Sequence, residues 1–376
     1  MTTALVHYWF YAMRGGERVV EKIAELFPDA PIYTHLFLQE NLSETLRKHP
    51  VHTSFIAEMP YAKSKIQAYL PFMPMALNRF GLYDYDLVIS SESGPAKGVN
   101  VRADAKHICY CHSPMRYLWF QQEAYLAQSS FFERLFLKSV TPRMRQWDLE
   151  SAKGVDVFVA NSKNVQERIY QIYQRDSEII YPPVDVDQIP LKTETGESFL
   201  WVGQLVPYKR PDLMIEAFNK NGLPLRVVGT GPMLNTLQKS ARSNIKFLGY
   251  VSDEIVHEEL AKARALIFPG EEDFGMVPVE AQAAGTPVIA YHQGGAREWM
   301  TASGEKPGSV QLCSTGVTFT EQTEAGLQSA LDIFIRHESE FSVSDCRNNA
   351  ERFSSRRFQS EFRHFVESQT GEKFES

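Results

Sequence analysis

Short apolar runs alternate with segments of helical period along both halves of the chain. Ala4-Leu5-Val6, Ile32-Tyr33-Thr34-His35-Leu36, Asp86-Leu87-Val88-Ile89-Ser90-Ser91, His107-Ile108-Cys109-Tyr110-Cys111 and Val155-Asp156-Val157-Phe158-Val159-Ala160 have the length and make-up of buried parallel strands. Between them, Val19, Val20, Ile23, Ala24, Leu26 and Phe27 recur at helical spacing, and Val165, Ile169 and Ile172 do so behind the cap Asn161-Ser162. The second half starts afresh with strands at Phe199-Leu200-Trp201-Val202-Gly203, Leu225-Arg226-Val227-Val228, Ile245-Lys246-Phe247-Leu248-Gly249, Leu266-Ile267-Phe268 and Pro287-Val288-Ile289-Ala290-Tyr291. Helices are predicted after Pro211, from Glu254 to Arg264 and from Pro278, where Gly285 is placed to end the helix. Strand and helix alternating in this way predict an α/β protein of two doubly wound sheets.

Pro182-Pro183 and the polar run Gln188–Ser198 separate the halves. The predicted domains are residues 1–186 and 187–353. A final amphipathic helix at about 354–372, carrying Phe358, Phe362, Phe365 and Val366, is expected to pack back on the first domain.

Several strands run into turns that carry chemistry. Phe268-Pro269-Gly270-Glu271-Glu272-Asp273-Phe274-Gly275-Met276-Val277-Pro278-Val279-Glu280-Ala281 reads as strand end, glycine turn and helix start. The amides around Gly275-Met276-Val277 then face outward at a positive helix end, which is an anion site. Glu272 and Glu280 bracket it with seven residues between them. Carboxylates beside a phosphate site are suited to accept hydrogen bonds from hydroxyls, and a sugar nucleotide carries hydroxyls on both sides of its diphosphate. Arg14-Gly15-Gly16-Glu17 follows the first strand, and His112-Ser113-Pro114-Met115-Arg116 leaves the end of another, where open α/β sheets bind ligands.

Composition narrows the classes. Among 376 residues the net charge is -7, with an ordinary 43% hydrophobic content. That balance argues against a nucleic-acid partner. Residues 1–190 hold 20 Lys/Arg against 21 Asp/Glu, and residues 191–376 hold 19 against 25, so the acidity lies in the second half. The four cysteines form no disulfide framework, and Cys109-Tyr110-Cys111 lacks zinc-ligand spacing, so no metal site is expected. Reduced thiols and a start without a signal-peptide pattern predict a cytoplasmic location. Met59 to Tyr83 has no acidic residue, but carries Lys63, Lys65 and Arg79 with Tyr61, Tyr69, Phe72, Phe80 and Tyr83. Basic and aromatic residues on one amphipathic helix would suit peripheral contact with the inner face of a membrane; a helix packed on a sheet with a solvated basic edge is the other reading. Phe131–Lys138, with Arg143 and Arg145, could extend that face.

Taken in order, these pieces resemble the family 4 retaining glycosyltransferases of the GT-B fold, two Rossmann-like domains facing a cleft. The resemblance rests on the stretch from Phe268 to Ala281, on Gly15-Gly16-Glu17, His112-Ser113-Pro114, Tyr181-Pro182-Pro183-Val184-Asp185, Gly203 through Lys209, and Gly229-Thr230-Gly231-Pro232. Tyr110–Tyr117 and Val206-Pro207-Tyr208-Lys209-Arg210-Pro211 look most like bacterial mannosyltransferases that build O-antigen, capsule or exopolysaccharide.

The resemblance implies an acceptor-binding first domain and a donor-binding second one, with mannose from GDP-mannose passed to a lipid-linked or polysaccharide acceptor. It gives catalytic roles to His112, Lys209 and Glu272. Lys209 would neutralise the leaving diphosphate, Glu272 and the amides of Phe274, Gly275 and Met276 would hold the donor sugar, and Glu280 would take the ribose. Gly16, Gly203, Gln204, Arg210, Gly231 and Tyr250 complete the donor set, and Arg14, Glu17 and Arg116 fall on the acceptor side. No cofactor or metal is implied. Gln204 stands where the family usually has arginine, and an amide lacks the charge and the bidentate grip of a guanidinium. A UDP-sugar donor, or a non-catalytic subunit that binds sugar nucleotide for an active partner, are the alternatives this leaves open.

Overall fold

A computed structural model describes residues 1–120, 122, 131–300 and 310–373. The chain divides into two compact units, Met1–Pro183 with Phe358–Ser376, and Val184–Arg357.

Unit 1 is built on a parallel sheet of β1 (Thr3–His7), β2 (Ile32–Thr34), β3 (Val51–Thr53), β4 (Leu87–Glu92), β5 (Lys106–Cys111), β6 (Val157–Ala160) and β7 (Ser177–Ile179). Their order is β3-β2-β1-β4-β5-β6-β7, so the chain reverses direction across the sheet between β1 and β4. The central strands are buried along almost their whole length, which is why they read as apolar runs. The edge strands β3 and β7 are partly exposed and carry no such run. Helix Gly15–Ala24 buries Val19, Val20 and Ile23, and helix Lys163–Tyr173 is capped by the Ser162 hydroxyl, which accepts from the Val165 amide at 3.1 Å. Helix Ser355–Thr370 closes the same core with Phe358, Phe362, Phe365 and Val366, and the rings of Phe358 and Phe362 lie within 6.2 Å of Tyr110 on β5.

Unit 2 repeats the plan with β8 (Phe199–Val202), β9 (Leu225–Val228), β10 (Ile245–Gly249), β11 (Leu266–Phe268), β12 (Val288–Tyr291), β13 (Val310–Cys313) and β14 (Gly316–Phe319). The order is β10-β9-β8-β11-β12-β14-β13, with the reversal between β8 and β11 and with β13 antiparallel at the edge. Phe199, Trp201, Phe218, Phe319 and Phe334 are the large side chains of its core. The run predicted as a linker is hydrogen-bonded into this unit, with the Lys192 amide on the Ala284 carbonyl and the Gly196 amide on that of Lys262.

One expectation needs correcting. Residues 59–83 are not one amphipathic helix. They form three short helical segments, Ala62–Lys65, the 3-10 helix Ile66–Phe72 and Met73–Leu77. Pro71 and Pro74 explain this, because each lacks an amide for the helical ladder. Ile66, Met73 and Ala76 pack with Leu36, Leu38 and Ile56, leaving Tyr61, Phe72, Met75 and Tyr83 exposed. Phe131–Lys138 begins a helix, Phe131–Lys153, but the side chains of Phe131, Phe132, Glu133 and Phe136 lie outside the described residues. No helix among the described residues is long and apolar enough to cross a membrane.

Candidate functional site

In unit 2 the predicted residues gather where β8 and β11 end, the switch point of the sheet. Gly203 and the exposed Gln204 leave β8, and Lys209 ends the short turn Pro207–Lys209. The Lys209 ammonium lies 2.6 Å from Glu272 Oε1, with both side chains less than one fifth exposed. Gly203 sits directly under it: a Cβ there would fall 3.3 Å from Lys209 Nζ. Gly270 brings the two loops together, since a Cβ on it would lie 2.6 Å from Lys209 Cα.

Glu272 is held by its backbone. Its carbonyl accepts the Gly295 amide at 2.8 Å, and Trp299 Nε1 donates to the Phe274 carbonyl at 2.8 Å. Gly275, at φ +84°, then turns the chain into helix Met276–Ala283. The amide end of that helix carries Met276, with Glu280 one turn on, and the helix ends as predicted at Gly285. There the amides of Gly285 and Thr286 take the carbonyls of Gln282 and Ala281. Asn349 Nδ2 donates to Gln282 Oε1 at 2.5 Å and to the Trp299 carbonyl at 2.7 Å, which locks Trp299 behind the turn.

Arg210 is already engaged. Its Nε and Nη2 donate to the Asp212 carboxylate at 3.0–3.2 Å, and its Nη1 donates to Gln322. Its guanidinium therefore does not stand in simply for the charge missing at Gln204. Gly231, after β9, packs on the backbone of Leu205, and Tyr250, after β10, is 85% exposed.

Unit 1 presents a second cluster at its own switch point. His112 follows β5, with its amide on the Glu92 carbonyl at 2.7 Å and its carbonyl taken by Asn161 Nδ2 at 3.1 Å. Its Nε2 lies 2.8 Å from the Ser91 hydroxyl. A Cβ on Gly16 would fall 3.4 Å from the Tyr8 hydroxyl, 3.6 Å from His112 Nε2 and 3.7 Å from His7 Cε1. Arg14 immediately precedes the helix that Gly15 and Gly16 open, with its guanidinium over the Tyr11 ring, and Arg116 starts the short helix Arg116–Trp119.

Sequence reasoning missed His7, Tyr8 and Ser91 here. The signal was present, since His7 and Ser91 end or nearly end strands that flank the reversal. Trp299, Gln282 and Asn349 carried no comparable signal, because they act on the site only through packing.

Comparison with known proteins matches this division. The family model for Glycosyltransferase Family 4 covers residues 13–188, and that for Glycosyl transferases group 1 covers residues 185–352. The two meet where unit 1 gives way to unit 2. The chain belongs to the family 4 glycosyltransferases. Its fold is GT-B, and the HepE protein of Anabaena, solved with UDP, superposes at a TM-score of 0.72 over 98% of this chain and 100% of HepE, with 16% identity. The D-rhamnosyltransferase WbpZ of Pseudomonas aeruginosa is 27% identical over 46% of this chain and 49% of its own length. The O-antigen chain mannosyltransferase C of Escherichia coli is 24% identical over 58% of this chain and 60% of its own. The chain thus spans about half the length of the curated relatives it matches.

Within this family 4 chain, Glu17 lies in a distinctive setting. It is 2% exposed, and its carboxyl accepts the Arg14 amide and its own at the helix start. Burial raises its pKa from 4.5 to about 7, against the pull of those amides and of the Arg14 charge. The folded state therefore binds this proton more tightly than the unfolded state. The stability it contributes is complete below pH 4.5 and is lost as pH rises to about 7. Relative to Glu17→Gln, the unmutated chain should lose about 3 kcal/mol across that window. Urea unfolding at a series of pH values checks this, and parallel curves for the two proteins would refute it.

Proposed function

We propose that the chain is a retaining glycosyltransferase that moves mannose from GDP-mannose onto a lipid-linked or polysaccharide acceptor in bacterial surface glycan synthesis. The observation that carries this is the Lys209–Glu272 pair beside the amide end of helix Met276–Ala283. The two charges hold each other until a donor supplies better partners. Lys209 then turns to the diphosphate, and Glu272 accepts from the sugar hydroxyls. Glu280 takes the ribose, and unit 2 is the donor side.

In the transfer step the bond from the anomeric carbon to the phosphate oxygen breaks, and a bond to the acceptor oxygen forms on the same face. The acceptor proton passes to the leaving phosphate. Charge grows on that phosphate, so Lys209 and the fixed amides stabilise the transition state more than the bound donor. His112 acts from unit 1, which we assign to the acceptor together with Arg14, Glu17 and Arg116.

Support for mannose comes from the run His112–Arg116 and from the likeness to the O-antigen mannosyltransferase. The UDP bound by HepE favours a second reading, in which the donor is a UDP-sugar. We further propose that residues 59–83 touch the membrane that holds the acceptor, because Tyr61, Phe72 and Met75 face outward near Lys63 and Lys65. A set of short helical segments can present such side chains as one helix would.

Lys209→Ala is expected to lower kcat a hundred- to a thousand-fold, about 3–4 kcal/mol in the barrier. Near-full transfer by that variant would remove the assignment. In a thermal-shift series GDP-mannose should raise the melting temperature most, and a larger rise with UDP-glucose would move the donor to the second reading. The chain should float with anionic liposomes at low salt and stop doing so when Lys63, Lys65 and Arg79 are neutralised. Flotation unaffected by those changes speaks against the membrane contact.

A further inference from the structure

Two imidazoles share one hydroxyl at the end of β4. Ser91 Oγ lies 3.1 Å from His7 Nδ1 and 2.8 Å from His112 Nε2. A serine hydroxyl has one proton, so it can donate to only one of them. The Ser91 carbonyl decides which. His7 Nδ1 is also 3.2 Å from that oxygen, and a carbonyl can only accept. His7 Nδ1 therefore carries hydrogen and points it at Ser91. The opposite arrangement would set the Nδ1 lone pair against the carbonyl lone pairs inside a buried site.

With His7 donating, Ser91 Oγ is left to donate to His112 Nε2. That nitrogen is then an acceptor, and the His112 proton belongs on Nδ1. His7 is suited to the task. It is 1% exposed, and its ring is held between Tyr8 and Phe10, at centroid distances of 4.1 and 4.7 Å. Burial and the neighbouring His112 hold its pKa well below the usual histidine range, so it stays neutral and keeps a single ring proton to aim.

We infer that His7 and Ser91 are positioning residues that fix His112 in the tautomer protonated on Nδ1. Two orienting groups behind one functional imidazole follow the logic by which a histidine's second nitrogen sets the chemistry of the first. The consequence for transfer rests on the reading of His112 given above. A histidine whose Nε2 accepts from Ser91 is not available as a base at Nε2.

The test uses the full chain with 15N-labelled histidine at about pH 8, where a histidine of ordinary pKa is neutral. Long-range proton–nitrogen correlation spectra distinguish a protonated ring nitrogen from a bare one, and His112→Gln identifies the His112 signals. In the unmutated chain Nδ1 of His112 should be protonated and Nε2 bare. Ser91→Ala and His7→Phe should move His112 toward the Nε2-protonated form, and Ser91→Thr, which keeps the hydroxyl, should not. A protonated Nε2 in the unmutated chain overturns the inference even if the variants fail to fold. An unchanged His112 spectrum in folded Ser91→Ala overturns it as well. In transfer assays Ser91→Ala should lower kcat about tenfold with the donor KM little changed. If the spectra behave as expected while His112→Ala transfers at full rate, the tautomer relay stands and the role given to His112 in transfer falls.

Discussion

The approach of Gly270 to the backbone of Lys209 is the constraint on which unit 2 depends. A Cβ there would sit 2.6 Å from Lys209 Cα and 2.9 Å from its carbonyl, so any other residue forces the loops after β8 and β11 apart. Glu272 lies two residues further on, with its carbonyl already bonded to Gly295. Its backbone is therefore anchored beside the Lys209 loop, and from there its carboxylate meets the ammonium at 2.6 Å. The Lys209 side chain crosses Gly203 to reach it. A charge pair aimed by backbone loses little entropy when it exchanges partners, which is what a site that must hold and release an anion requires.

Unit 1 solves the same problem with buried charge. Lys97 Nζ contacts both Glu92 and Asp148, all three fully buried, and Asp148 also accepts from Trp119 at 2.7 Å and Tyr173 at 2.9 Å. Removing one member of such a group costs about 3–5 kcal/mol, because the remaining charge is stranded. The group ties the end of β4 to helices Phe131–Lys153 and Lys163–Tyr173. Glu92 precedes the Ser93 that donates to Tyr8, and its carbonyl anchors the His112 amide. Positioning in unit 1 thus passes through side chains, where unit 2 relies on glycine and main chain.

Much of this was legible in the residues. Apolar runs located the central strands of the first sheet and β8, β9, β11 and β12 of the second, because a parallel strand covered on both faces has no polar alternation to obscure it; buried β14, which opens on Gly316 and carries Thr318, makes no such run and was missed. Helix ends at Ser162, Pro278 and Gly285 were readable because each carries a local reason to stop or start. The edge strands β3, β7 and β13 were not, since a half-covered strand of three or four residues makes no apolar run. The helix expected at 59–83 failed on Pro71 and Pro74, where local chemistry outweighed an amphipathic composition. In the site, Glu272, Lys209 and His112 stood out by their place after strands. The shared hydroxyl of Ser91 did not, because it needs β1, β4 and β5 side by side before it has a meaning.

The aromatic face of helix Ser355–Thr370 has a consequence for the order in which the protein is made. Tyr110 on β5 waits for Phe358 and Phe362, with all of unit 2 synthesised in between. On the ribosome the first sheet must therefore persist with an uncovered apolar flank while the second unit emerges and folds. Unit 2, contiguous in sequence, is free to finish first. The half of the molecule that is made first is thus the one whose core waits for the last helix of the chain.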